Sequence, residues 1–401
     1  MGKLRYALLG AGILLTALCA EAKTEGDEEK GYQFTTIHEI PTTSVKDQYH
    51  SGTCWSFSGL GLLEAEMLRL GKPEVDLSEM FVVWHTYSKK AIKHVRLHGN
   101  LNFSAGGAFH DVTNVIRKYG IVPESVYDGL NYGEEKHVHG EMDRVLSEQV
   151  DAVIENKNKK LSTAWHDAIK GTLNSYLGEL PQTFKYDGKD YTPLSFAKDY
   201  VGLNMDDYVE ISSYSHHPYY EKFILEVPDN WSWDEVYNVP MEELEQIVDH
   251  SLSNGYTVAW AADISEKGFS TSKKGIAVVP EIKLENMDGA EISKWEKLTD
   301  KEREEKIFEL ETPGAEKKIT QEMRQIDFDN YQTTDDHGML MVGTAKDQND
   351  TIYYKIKNSW GNYNGHNGYF YASKPYVQYK TMCIMVNKEA IPKNIRKKLG
   401  L

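Results

Sequence analysis

The most reactive arrangement in this chain is a cysteine at a helix start, in Gln48-Tyr49-His50-Ser51-Gly52-Thr53-Cys54-Trp55-Ser56-Phe57. Thr53 or Ser51 can cap a helix beginning at Cys54, which puts the thiol at the positive end of the dipole and favours thiolate. A thiolate attacking a carbonyl needs a base partner, which holds it as an ion pair and later protonates the leaving amine. It also needs donors for the oxyanion, and Gln48, six residues upstream, can offer its amide beside the Cys54 N–H. The base candidate is His337, in Asp335-Asp336-His337-Gly338, at the mouth of the apolar run Met339-Leu340-Met341-Val342. Lys357-Asn358-Ser359-Trp360-Gly361 closes the following run. If the two runs form a hairpin, the Asn358 carboxamide can orient the His337 ring and Trp360 can screen that bond from water. An amide suffices there, because the partner of the imidazolium is the thiolate itself.

Singly, each piece fits a structural role: a small core cysteine, a hydrogen-bonded histidine, a turn with a packed aromatic. Their joint occurrence in this order points to nucleophilic chemistry. The set resembles the papain-type cysteine peptidases. That resemblance implies Cys54 as nucleophile, His337 as base, Asn358 as its orienter and Gln48 as oxyanion donor, acting on peptide substrates with no cofactor and no metal. Asp76-Leu77-Ser78-Glu79 resembles the Leu-Ser-Glu segment of the family's second helix. Gly106-Gly107 resembles the double glycine lining the substrate cleft, which leaves room for substrate backbone. There are two departures. Ser51 stands where the papain pattern has a disulfide cysteine, and 283 residues separate Cys54 from His337, against about 130 in papain-like enzymes.

A disulfide-free papain core with a large insertion resembles the bleomycin-hydrolase branch, which includes bacterial cysteine aminopeptidases. Lys118-Tyr119-Gly120-Ile121-Val122-Pro123, Ala259–Asp263 and the Arg324…Asp336-His337-Gly338-Met339 run are similar to it. The likeness spans about residues 36–390. It implies a C-terminal tail in the cleft, with the Leu401 carboxylate binding the substrate's α-ammonium, and homohexameric assembly. The tail here departs from that branch in lacking its Trp-Asp-Pro-type segment. Two rivals stay open: an endopeptidase whose tail does not fill the cleft, and a catalytically silent peptide-binding homologue.

The elements around these residues can be read from periodicity. Phe57, Leu60, Leu63, Met67 and Leu70 recur at helical spacing and predict a core-facing helix from Cys54 to about Leu70. A second helix opens at Asp76–Glu79, and a third follows Gly106-Gly107 to Lys118. From 125 to 250 the chain reads as a helical insertion, and Thr299-x-x-Glu302 opens a charged, exposed helix. Thr257–Asp263, Gly338–Lys346, Thr351–Lys357, Gly368–Ser373 and Thr381–Val386 read as strands. Helices first and antiparallel strands last predict an α+β, papain-like fold. The units are 1–22, 23–124 with the nucleophile, 125–250, 251–390 with His337 and Asn358, and a tail at 391–401.

Composition narrows the classes further. Forty-five basic against 61 acidic residues give a net charge of −16, which repels phosphate backbones and argues against nucleic-acid binding. Three cysteines exclude a disulfide scaffold and a multi-cysteine zinc site. Lys3 and Arg5, the apolar run Ala7–Cys19 and Ala20-Glu21-Ala22 read as a signal peptide ending at 22, so the protein is expected in the periplasm or secreted. Membrane attachment would require lipidation at Cys19. Leu18 precedes it where a small residue is required, which favours an ordinary signal residue. Cys383, in an apolar run, reads as core. His216-His217 and His137-x-His139 lack a ligand pattern nearby in sequence and read as exposed loop histidines. There is no Gly-x-Ser-x-Gly, phosphate loop or His-Glu-x-x-His, which leaves serine hydrolase, NTPase and zinc peptidase without support.

Overall fold

The computed structural model describes residues 31–103, 105–158 and 160–401, so the expected signal segment 1–22 and Cys19 lie outside the described residues. Helix α1 (Cys54–Arg69) is buried along almost its whole length, because it runs between the sheet and two further helices. Helix α2 (Glu79–Arg96) starts where the Ser78 hydroxyl accepts the Phe81 N–H at 3.1 Å. Helix α3 (Phe109–Tyr119) follows the double glycine, and α4 (Gly140–Ile154) and α5 (Ala164–Leu177) pack outside α2.

The strands are β1 (Thr35–Glu39), the small hairpin β2 (Phe184–Tyr186) and β3 (Lys189–Tyr191), then β4 (Tyr208–Ser212), β5 (Lys222–Ile224), β6 (Glu235–Asn238) and β7 (Val258–Ala262). After these come β8 (Phe269–Ser270), β9 (Ile276–Ala277), β10 (His337–Lys346), β11 (Ile352–Lys357), β12 (Tyr369–Ser373) and β13 (Thr381–Asn387). All but β2 and β3 form one sheet of order β5-β6-β4-β13-β7-β10-β11-β12-β9-β8, with β1 on β10. Its pairs are antiparallel except β4 with β6 and β9 with β12.

Period-two alternation divides this sheet between two cores. Leu340 and Val342 of β10 join Ala259 and Ala261 of β7 under α1–α3. Met339 and Met341 turn with Val258 and Trp260 to the opposite face, where the helices Met241–Ser253, Lys374–Lys380 and Lys393–Leu399 cover them. This is the expected α+β arrangement, with one correction. The insertion is not helical throughout: strands lie between its first helices, α4 and α5, and the helix Met241–Ser253 that closes it. Strands β4–β6 leave it to extend the main sheet through β13, since Tyr208–Ser212 has the alternation and β-branched content to pair there. Thr299 does cap the charged helix Asp300–Ile307. Among the described residues no helix is long and apolar enough to cross a membrane.

Candidate active site

The hairpin β10–β11, in register through Leu340 with Lys357, brings its two ends together. His337 is the first residue of β10 and Asn358 the first after β11, so both emerge at one edge. The His337 Nε2–H donates to Asn358 Oδ1 at 2.8 Å, in a buried bond. The carboxamide is fixed on both sides, since Oδ1 also accepts the Ser359 N–H at 2.8 Å and Nδ2 donates to the Tyr363 hydroxyl at 3.1 Å. Trp360 stacks on the imidazole with centroids 4.8 Å apart. This orientation leaves Nδ1 of His337 as the ring nitrogen not committed to Asn358.

Cys54, the first residue of α1, is partly exposed and lines a small cavity of about 30 Å³ with His337, Trp55, Gly107 and Ala108. Gly338 makes the juxtaposition possible: a Cβ there would lie 2.8 Å from Ser58 Oγ and 3.3 Å from Trp55 Cα, so α1 could not approach β10 as closely. Neither Thr53 nor Ser51 caps α1 from its side chain; their hydroxyls bond to each other instead. Burial pushes the Cys54 thiol up to about 12, with Asp229 and Asp335 adding to the shift, while the Gly338 and Trp55 amides act against it. Burial lowers His337 to about 4, partly offset by its bond to Asn358. These surroundings favour a neutral thiol and a neutral imidazole, not the expected ion pair. Desolvation, the largest cause, and the charges of Asp229 and Asp335 act against the thiolate there.

Gln48 is buried, and its Oε1 accepts the Ser359 hydroxyl at 2.6 Å, which orients the amide with its NH₂ as the remaining donor. Its backbone N–H donates to the Ser359 carbonyl at 2.8 Å, tying the Gln48 loop to the segment that carries Asn358. Two residues earlier, the Lys46 ammonium donates to Glu64 of α1 at 2.7 Å and Glu79 of α2 at 2.8 Å. Glu79 of the Leu-Ser-Glu segment thus anchors the strand of chain that delivers Gln48.

Other expectations change. The room left by the double glycine is already filled by this chain: a Gly106 Cβ would lie 2.3 Å from Asp229 Oδ2, and a Gly107 Cβ 2.8 Å from Trp55 Cε2. Gly107 lines the cavity and Gly106 does not. Leu401 is not in the cleft. It packs with Ile395 and Leu399 on the opposite face of the sheet, where Ile395 and Leu399 bury their side chains and the Lys398 ammonium is held by Glu243 and Tyr220. Cys383 is buried, yet it lines the Cys54 cavity, and its thiol lies 3.7 Å from Glu210 Oε2. His137 and His139 are buried, not exposed. His216 and His217 do meet a carboxylate, Glu226, at 3.1 and 2.8 Å, because the chain folds back ten residues on. Sequence reasoning missed Asp229 in the cleft wall, and no local motif marks it.

Residues 89–306 and 289–400 match the Peptidase C1-like family. The chain belongs to that family. The matched stretches contain His337 and Asn358 but not Cys54. Aminopeptidase G of Lactobacillus delbrueckii subsp. lactis is 25% identical over 89% of this chain and 83% of its own length. Aminopeptidase C of Listeria innocua serovar 6a is 24% identical over the same shares. The crystal structure of pepw from Lactobacillus rhamnosis HN001 superposes with a TM-score of 0.66 at 20% identity, covering 91% of this chain and 84% of that one. The last likeness shows a shared fold.

Proposed function

We propose that this member of the Peptidase C1-like family is a cysteine aminopeptidase that works through an acyl-enzyme on Cys54. The observation that carries the reading is the His337–Asn358 bond of 2.8 Å at the edge of the cavity that Cys54 lines. His337 takes the Cys54 proton through Nδ1 as the sulfur attacks the scissile carbonyl carbon. The Gln48 amide and the Cys54 N–H hold the oxyanion. The imidazolium then protonates the leaving amine, and the neutral ring next activates the water that releases the acyl group. Asn358 fixes the ring in both halves of the cycle.

Cleavage at the free N-terminus is supported by the names of the relatives, each an aminopeptidase of similar length. The position of Leu401, away from the cleft, favours a second reading as an endopeptidase. Turnover of an amino-acid amide against its N-acetylated form separates the two. Strong preference for the free amine supports the aminopeptidase, and equal turnover supports the endopeptidase. Reaction of Cys54 with iodoacetamide, and loss of turnover with it, separates both from a silent binding protein. Export by the segment 1–22 and homo-oligomeric assembly complete the proposal. N-terminal sequencing of the mature protein and its mass in solution test them.

A further inference from the structure

The cleft holds a charged group that the proposed catalytic residues do not use. Asp229 lines the cavity with Cys54 and His337, accepts the Gly107 N–H, and occupies the volume next to Gly106. Its loop is rigidly built. Asn230 Nδ2 donates to the Leu225 and Asp234 carbonyls at 3.1 and 3.0 Å, and Trp231 Nε1 donates to Asp111 Oδ2 at 2.8 Å. The insertion therefore delivers a positioned carboxylate to the nucleophile.

Its charged surroundings come from every neighbouring element. Lys90 of α2, Asp111 of α3 and Asp336 before β10 act on Asp229, while Asp335 and Cys54 share its field. Lys90 also donates to the Gly106 carbonyl at 2.9 Å. Burial raises both Asp229 and Asp335, and the charge of Asp229 raises Asp335 further, so removing both protons is costly and a negative charge remains beside Cys54. The Lys90 ammonium offsets part of that charge, and a second cation on the cleft side would relieve the rest beside a sulfur that must become a thiolate. A peptide with a free N-terminus brings such a cation. The space and the amide that an extended peptide would use at the double glycine are already taken by Asp229, which also stops the chain there.

Resting on the aminopeptidase reading, we propose that Asp229 receives the substrate's α-ammonium and closes the cleft beyond the first residue. The side chain thus does what a C-terminal carboxylate would do if Leu401 lay in the cleft.

Asp229→Asn tests this, since Asn keeps an oxygen for the Gly107 N–H and removes the charge. Wild type and variant are compared on alanyl coumarylamide and on N-acetylalanyl coumarylamide. The variant should lose about 10- to 150-fold in kcat/KM on the free amine, equivalent to ~1.5–3 kcal/mol for one charge-assisted bond. Its turnover of the acetylated substrate should stay level or rise. An equal loss on both substrates, or no loss on the free amine, overturns the proposal. The wild-type ratio of the two substrates reports separately on the aminopeptidase reading, which fails if that ratio is near one. Should the variant misfold, the wild type still decides. Its KM for the free amine should climb as pH falls and Asp229 protonates, while KM for the acetylated substrate stays flat. Parallel KM profiles overturn the proposal.

Discussion

Asn358→Ala removes the acceptor that fixes His337, and its cost can be worked from the contacts. Oδ1 of Asn358 accepts both the His337 Nε2–H and the Ser359 N–H at 2.8 Å, and all three residues are buried. Truncation leaves two buried donors without that partner, at about 1–3 kcal/mol each if nothing relaxes. The imidazole can escape by rotating about its own χ2, because Trp360 holds the ring's face but not its edge. Rotation recovers part of the stability and costs orientation, so the loss should fall on kcat, by about 10- to 100-fold, with KM within about twofold. The assay is steady-state turnover of an amino-acid coumarylamide, paired with thermal unfolding. If KM rises while kcat holds, Asn358 is a substrate contact and the orientation argument is wrong. If activity is unchanged and stability falls by several kcal/mol, the bond is purely structural.

Other perturbations separate the remaining roles. Cys54→Ala should abolish turnover in the same assay while retaining the melting profile, whereas Cys383→Ala, although it lines the same cavity, should keep most activity. Lys46→Ala takes the shared ammonium from buried Glu64 and Glu79, and should destabilise the fold by about 3–5 kcal/mol in denaturant titration. Deleting 391–401 strips Ile391, Ile395 and Leu399 from the far core, so unfolding should come earlier by several kcal/mol. A tag added after Leu401, by contrast, should leave turnover of free-amine substrates unchanged, because that terminus lies on the opposite face of the sheet.

The parts of the fold legible in the sequence were those carried by local pattern. The stripe from Phe57 to Met67 gave α1 because buried spacing of three and four has one geometric meaning. The two apolar runs flanking Asp347–Asp350 gave the hairpin that joins His337 to Asn358. The strands β4–β6 were not legible, because each is short and partnered by chain more than a hundred residues away or by one another. The same limit hid Asp229: nothing beside it in sequence hints that it packs on Gly106 and Gly107. The tail failed for a different reason. Its placement was borrowed from a resemblance whose Trp-Asp-Pro-type segment this sequence does not carry, while Ile395 and Leu399 sit at an i, i+4 spacing suited to packing on a core.

The helix-start motif suggested an ionised thiol, and the folded surroundings reverse that. Burial, Asp229 and Asp335 hold Cys54 up near 12, and His337 is lowered to about 4. Proton transfer from sulfur to imidazole is therefore uphill before substrate arrives. Iodoacetamide, which is neutral and brings no cation, should then alkylate Cys54 at a rate that climbs about tenfold per pH unit from 7 to 10, without a plateau. Asp229→Asn removes one of the two carboxylates responsible, so at pH 8 it should be alkylated faster than wild type, by about three- to tenfold, even as it loses turnover of free amines. These opposite directions on one residue are hard to produce by misfolding, which would slow both or expose the thiol indiscriminately. A wild-type alkylation rate already level between pH 6 and 8 would mean that the thiolate–imidazolium pair exists in the resting protein. In that case the carboxylates of the cleft do not control the nucleophile, whatever they do to the substrate.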